Sequence, residues 1–170
     1  MKKYILITQS ITYDKNRNEL SDIIDTQLIN FFLKLDYIPI PISNFYENPK
    51  LFLKSFKISA IILSGGNDFG KFPKRDNLEK NLIKYSIIKK IPLIGICRGM
   101  QLVNRYFKGK LIKIDNHVKK KHLIISSVDK KRVMVNSYHN YTIEEKSLHK
   151  DFSILYRCLK DNSIESFKHK

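Results

Sequence analysis

A chain of 170 residues with 42% hydrophobic and 28% charged side chains is large enough for one self-sufficient core and ordinary in composition for a globular protein. The formal net charge is +16, but the lysines are dispersed and no Arg-and-aromatic signature accompanies them, so the charge reads as a solvated surface that attracts acidic small molecules rather than nucleic acid. No apolar run approaches a membrane span, and two cysteines with neither Cys-x-x-Cys nor zinc-type spacing to the five histidines argue against a disulfide scaffold and a metal centre.

The chain starts "MKKYILITQS", whose apolar run is broken at Thr8 and Gln9. That run is too short for a signal peptide, and a reduced, cytoplasmic setting is expected. Lys3 to Thr8 reads as a short buried strand. Residues 19 to 35 place Leu20, Ile23, Ile24, Leu28, Phe31, Phe32 and Leu35 at helical spacing, which predicts one helix there. "DYIPIPI" follows as an extended segment, its prolines suited to an edge, and a short helix is expected near 50–56. "ISAIILSGG" is an apolar strand ending in paired glycines. Asp76-x-x-Glu79 predicts a helix start with Asp76 as cap and Leu78, Leu82, Ile83 and Ile87 buried. "KIPLIGI" is the next strand and "RGMQLVNRYF" the next helix. Apolar strands alternating with helices predict a parallel sheet covered on both faces, with ligands beyond the carboxyl ends of its strands. After residue 108 the pattern changes to short extended pieces, "KLIKI", "HLIISSV", "KRVMVNS", "DFSILYRCL" and "SIESFKH".

The chemistry concentrates in "IPLIGICRGMQLVN", where a strand gives way at once to a helix around Gly95-Ile96-Cys97-Arg98-Gly99. A residue squeezed into such a turn adopts strained backbone angles that small neighbours permit, and its side chain stands exposed above the sheet. The helix N-terminus behind it favours a thiolate. The backbone N–H of Arg98 and that of Gly66, at the end of a neighbouring strand, are expected to form an oxyanion hole. Cys158 alternates with Phe152, Ile154 and Tyr156 and is expected in the core.

"PLIGICRGMQ" resembles the nucleophile motif of the class I glutamine amidotransferases, and most closely their γ-glutamyl hydrolase branch. "ILSGGNDF", "KRDNLEKNLI", "VNSYHNYTI" and "DNSIESFKHK" are similar to further pieces of that family, in order. The resemblance implies an α/β, flavodoxin-like fold: residues 1–170 as a single domain, with a central, mostly parallel sheet and helices on both faces. It implies Cys97 as nucleophile and Gly66 and Arg98 as oxyanion hole. Gly65, Gln101, Asn136, Ser137, Tyr138 and His139 would hold the glutamyl group.

The family takes its base from a later His-x-Glu segment, and this chain is expected to lack that last strand and catalytic tail, since no glutamate follows His169 at the required place. His139 belongs to the substrate side of the resemblance. His117, His122 and His149 are expected at solvated or core-edge positions, and Glu165 as an outward or structural acid. The implied function is hydrolysis of a γ-glutamyl amide, of nucleotide-amidate or amine type, through a cysteinyl thioester. Neither metal nor organic cofactor is expected, and the partner is a small, acidic γ-glutamyl compound, with no nucleic acid and no membrane. An inactive homologue that keeps only the ligand pocket is the alternative.

Overall fold

The parallel strands Lys3–Thr8 and Ile58–Leu63 owe their burial to runs of Ile and Leu. The computed structural model describes residues 3–46 and 48–170, which fall into two units, residues 1–99 and 100–170. In the first, β1 (Lys3–Thr8) leads into β2 (Ser10–Asp14) and β3 (Glu19–Ile23), then α1 (Thr26–Lys34), β4 (Tyr37–Ile42), α2 (Pro49–Ser55), β5 (Ile58–Leu63), α3 (Pro73–Lys89), β6 (Leu93–Gly95) and the start of α4 (Arg98–Tyr106). The sheet runs β4-β1-β5-β6 with every neighbour parallel.

Strand alternation sorts the helices to two faces. Ile5 and Ile7 of β1 and Ile62 of β5 bury against Phe32 of α1, with Leu28 and Ile29 beside them. Leu6, Ile61 and Leu63 are fully buried on the alternate positions. Thr8, which shares Leu6's side of β1, donates from Oγ1 to Glu79 of α3 over 2.8 Å, so α3 covers that face.

Three expectations need correction. Residues 19–23 are not helical: β2 and β3 form an antiparallel hairpin with Ser10 opposite Ile23 and Asp14 opposite Glu19. Asp14 Oδ1 accepts from the N–H groups of Asn16 and Arg17, and Asn18 turns through a positive φ of 54°, which closes the hairpin. The helix starts only after Asp25, whose carboxylate accepts from Gln27 N–H at 2.8 Å. Similarly, Asp76 does not cap α3. The helix begins at Pro73, whose fixed φ suits a first helical position, and Asp76 lies in its first turn. Leu78, Leu82 and Ile83 are buried as expected, but Ile87 is 51% exposed.

The second unit is antiparallel. It holds the rest of α4, then β7 (Leu111–Lys113), β8 (Val118–Ser126), β9 (Arg132–Tyr138), β10 (Tyr141–Ile143), β11 (Phe152–Cys158) and β12 (Ile164–His169). One sheet runs β12-β11-β8-β9 and a second pairs β10 with β7. All of these strands but β10 overlap the five extended pieces read after residue 108. No helix among the described residues is long and apolar enough to cross a membrane.

Candidate functional site

Cys97 sits between the end of β6 and the start of α4 with φ at 51°, and it is exposed. A side chain other than glycine in this left-handed region costs of order 1–3 kcal/mol, so the surrounding structure must impose it. Part of that constraint comes from Gly99. A Cβ there would lie 2.2 Å from the carbonyl oxygen of Leu63, so the first turn of α4 rests directly on the end of β5. Gly65 faces the cysteine, since a Cβ at position 65 would stand 3.5 Å from that of Cys97. A larger side chain there would crowd the thiol.

Arg75 of α3, fully buried, organises the glycine turn. Its Nη2 donates to the carbonyls of Ser64 at 3.1 Å and Gly65 at 2.8 Å. Its Nη1 donates to the carbonyl of Gly66 at 3.0 Å and to Asn67 Oδ1 at 2.7 Å. In a trans peptide the C=O and the next N–H point opposite ways. Drawing the Gly65 carbonyl onto Arg75 therefore turns the Gly66 N–H away from it. Gly66 itself has φ +80°, a conformation open to glycine, and a Cβ there would press on Ser10 at 3.1 Å.

Two carboxylates complete this buried cluster. Glu79 accepts from Thr8 and, over 3.1 Å, from Arg75 Nε, and its other oxygen takes Arg98 Nη1. Asp76 takes Arg98 Nη2 and, at 2.8 Å, the Gly70 N–H. Burial draws the Arg75 guanidinium below its ordinary value; Glu79 opposes that and the charge of Arg98 adds to it. Two arginines face two acids, so the cluster is neutral as a whole. Arg98, the residue after the cysteine, is thereby anchored by its side chain while its backbone begins α4. The sequence motif Arg75-Asp76-x-x-Glu79 gave no sign of this work, since charged residues at helical spacing look alike whether solvated or buried.

Within the second unit, Tyr141 brings together two of the residues expected to hold a glutamyl group. Its carbonyl accepts from Gln101 Nε2 at 2.9 Å and lies 3.0 Å from His139 Nδ1, which must carry the proton there. Asn136 and Tyr138 are exposed on β9. Ser137 is buried, and its Oγ makes no hydrogen bond among the described residues.

A group of histidines surrounds Glu165. Its carboxylate lies 3.4 Å from His117 Nδ1 and 3.5 Å from Nε2 of both His122 and His139. Burial pulls the His139 imidazole down, but the hydrogen bond and charge of Glu165, with the Tyr141 carbonyl, leave it raised overall. Burial pushes the Glu165 carboxyl up, yet His139 above all holds it below the usual value. His117 Nε2 meets Asp161 Oδ2 at 2.7 Å. His117 is thus 2% exposed and fully engaged rather than solvated, and Glu165 points into this group rather than outward. Their segments lie far apart in the chain, so nothing in the linear spacing betrays the group. Cys158 is buried as expected, at 2% exposure.

Comparison with known proteins identifies the family and the fold. The family model for Glutamine amidotransferase class-I matches residues 18–170. A γ-glutamyl-CDP-amidate hydrolase of Campylobacter jejuni is 37% identical over 177 aligned residues, covering 98% of this chain and 84% of that protein. Among solved structures, a Thermoplasma acidophilum protein provisionally described as a GMP synthase component matches with a TM-score of 0.74 at 16% identity, over 100% of this chain and 79% of that one. A glutamine amidotransferase from Thermotoga maritima matches with a TM-score of 0.71 at 16% identity, over 99% and 72%. These structures share the flavodoxin-like arrangement of a central parallel sheet with helices.

Proposed function

Since this chain belongs to the class I glutamine amidotransferase family, we propose that it hydrolyses a γ-glutamyl amide through a thioester at Cys97 and releases glutamate. The observation that carries this reading is the cysteine itself: exposed, at φ 51°, at the N-terminus of α4 and faced by Gly65. That setting favours the thiolate, the attacking species.

In this reading the Cys97 sulfur attacks the γ-carbonyl carbon, a C–S bond forms, and the carbonyl oxygen becomes an oxyanion. The backbone N–H groups of Gly66 and Arg98 receive it, held by Arg75 on one side and by the anchored Arg98 side chain on the other. The C–N bond then breaks, and the proton given up by the thiol ends on the leaving amine. Water cleaves the thioester, giving glutamate and restoring the thiol. Gly65, Gln101, Asn136, Ser137, Tyr138 and His139 serve the glutamyl amino and carboxylate groups, and residues 1–170 act as one amidotransferase domain. A γ-glutamyl nucleotide amidate is the first substrate to try, given the Campylobacter relative. The net charge of +16 suits so acidic a compound. A thiolate nucleophile works in a reducing compartment, so the cytoplasm is the setting this reading takes.

The test is glutamate release from γ-glutamyl-CDP-amidate and from γ-glutamyl-γ-aminobutyrate, with Cys97→Ala as blank. Release by the native chain that vanishes in the variant supports the reading. No release by a folded chain that still binds the substrate, or release that survives Cys97→Ala, overturns it.

A further inference from the structure

In the second unit, His117, His122, Cys158 and Glu165 each offer one ligand atom, and those atoms all lie within 4.8 Å of one another. They come from neighbouring parts of one antiparallel sheet. His122 is on β8, Cys158 on β11, Glu165 on β12, and His117 immediately precedes β8. Cys158 pairs across the ladder with Ile124, two residues from His122, so the thiol and that imidazole share a face.

Three features set this group apart from a chance meeting of polar side chains. Glu165 sits at an irregularity of the β11–β12 ladder: Tyr156 pairs with Ser166 and Arg157 with Ile164, leaving Glu165 without a ladder partner. Such irregularities re-aim a side chain, and the Glu165 carboxylate here lies among imidazoles. Next, Asp161 accepts from His117 Nε2 at 2.7 Å, which leaves Nδ1 as an acceptor, 3.3 Å from His139 Nε2 and 3.4 Å from Glu165 Oε1. A carboxylate fixing the far nitrogen is also how proteins orient a metal-binding histidine. Finally, His122 Nε2 is buried and makes no hydrogen bond among the described residues, with Glu165 Oε2 at 3.5 Å.

We propose that His117, His122, Cys158 and Glu165 bind a zinc ion that ties β8, β11 and β12 together, with Asp161 as the positioning residue behind His117. Two imidazoles, a thiolate and a carboxylate form a four-coordinate, borderline-soft donor set that suits zinc over magnesium or calcium. Bonds of about 2.0–2.3 Å require each donor to move inward by less than about 1 Å. The Cys158 thiol releases its proton to solvent as the metal binds. The role is structural, because all four positions are filled by protein and none is left for substrate. This site is independent of the proposed hydrolysis and stands or falls without it.

The experiment uses the full chain without a histidine tag, stripped with chelator and then reloaded. About one zinc per chain is expected after gel filtration, with a higher thermal midpoint than the stripped protein. Cobalt in place of zinc should give the visible bands of a tetrahedral ion and a thiolate charge-transfer band. That band should persist in Cys97→Ser and disappear in Cys158→Ser. Should Cys158→Ser fail to fold, Asp161→Asn, a change at an exposed residue, is expected to weaken zinc binding about 10–100-fold while the chain stays folded. Three results overturn the proposal: substoichiometric zinc with an unchanged midpoint, which would leave the hydrogen bond between His139 and His117 in its place; a cobalt spectrum without a thiolate band; or unaltered zinc affinity in Asp161→Asn.

Discussion

Arg75 Nη2 reaches the carbonyl oxygen of Gly65 over 2.8 Å, and through that bond a buried helix residue sets the direction of the Gly66 N–H. The same guanidinium also holds the carbonyls of Ser64 and Gly66. A lysine presents its donors from a single point and cannot span all three. Arg75→Lys is therefore expected to leave buried carbonyls and Glu79 poorly paired and to destabilise the fold by about 3–5 kcal/mol. Urea unfolding measures the loss, and glutamate release should fall with it under conditions where the variant is still folded. A loss under about 1 kcal/mol with unchanged turnover would show that Arg75 does not set the turn.

Cys97 is exposed at a helix N-terminus, and Cys158 is buried. Iodoacetamide at neutral pH should therefore alkylate Cys97 first in the native chain and reach Cys158 only on unfolding. Peptide mapping of the adduct decides the matter, and preferential modification of Cys158 would contradict it.

Gly99 is a contact, not a hinge. A methyl group at this position would meet the Leu63 carbonyl oxygen at 2.2 Å, backbone that cannot swing aside. Gly99→Ala should push α4 off the end of β5, cost about 1–3 kcal/mol, and slow alkylation of Cys97 as the turn relaxes. Equal stability and equal alkylation rate in the variant would refute the close approach.

Arg157 bonds the carboxylate of Glu145 through both terminal nitrogens, one of them at 2.8 Å. The hydrogen bond from Arg157 holds the Glu145 carboxyl below its ordinary 4.5, with burial opposing and the guanidinium charge assisting. A depressed carboxyl stabilises the fold above its unfolded value and loses that contribution as pH falls through the folded one. Glu145→Gln should therefore cost a few tenths to about 1 kcal/mol near neutrality, the range for a solvent-screened pair, and almost nothing well below about pH 4. Denaturation curves at both pH values give the comparison. An equal cost at both would mean that packing, not charge, holds the pair.

The apolar runs of β1 and β5 and the Gly-x-Cys-x-Gly junction are local signals, so the parallel sheet and the position of Cys97 were legible residue by residue. Composition and residue order also carried the family resemblance. Spacing misled at residues 19–23, because a hairpin closed by Asp14 and Asn18 happens to place Leu20, Ile23 and Ile24 where a helix would. Periodicity records where apolar residues fall, not which hydrogen bonds the backbone finds.

What the sequence by itself determined was thus the sheet-forming segments, the strand-to-helix turn at Cys97 and the need for small residues around it. Burial of charge was a matter for tertiary structure alone. Arg75, Asp76 and Glu79 read as a polar helix face until Arg98, from another element, supplies the charge that lets the acids leave water. The gathering of His117, His122, Cys158 and Glu165 is equally invisible in one dimension. It depends on strand register and on the ladder irregularity at Glu165, and a register is a pairing between distant segments that no local pattern encodes.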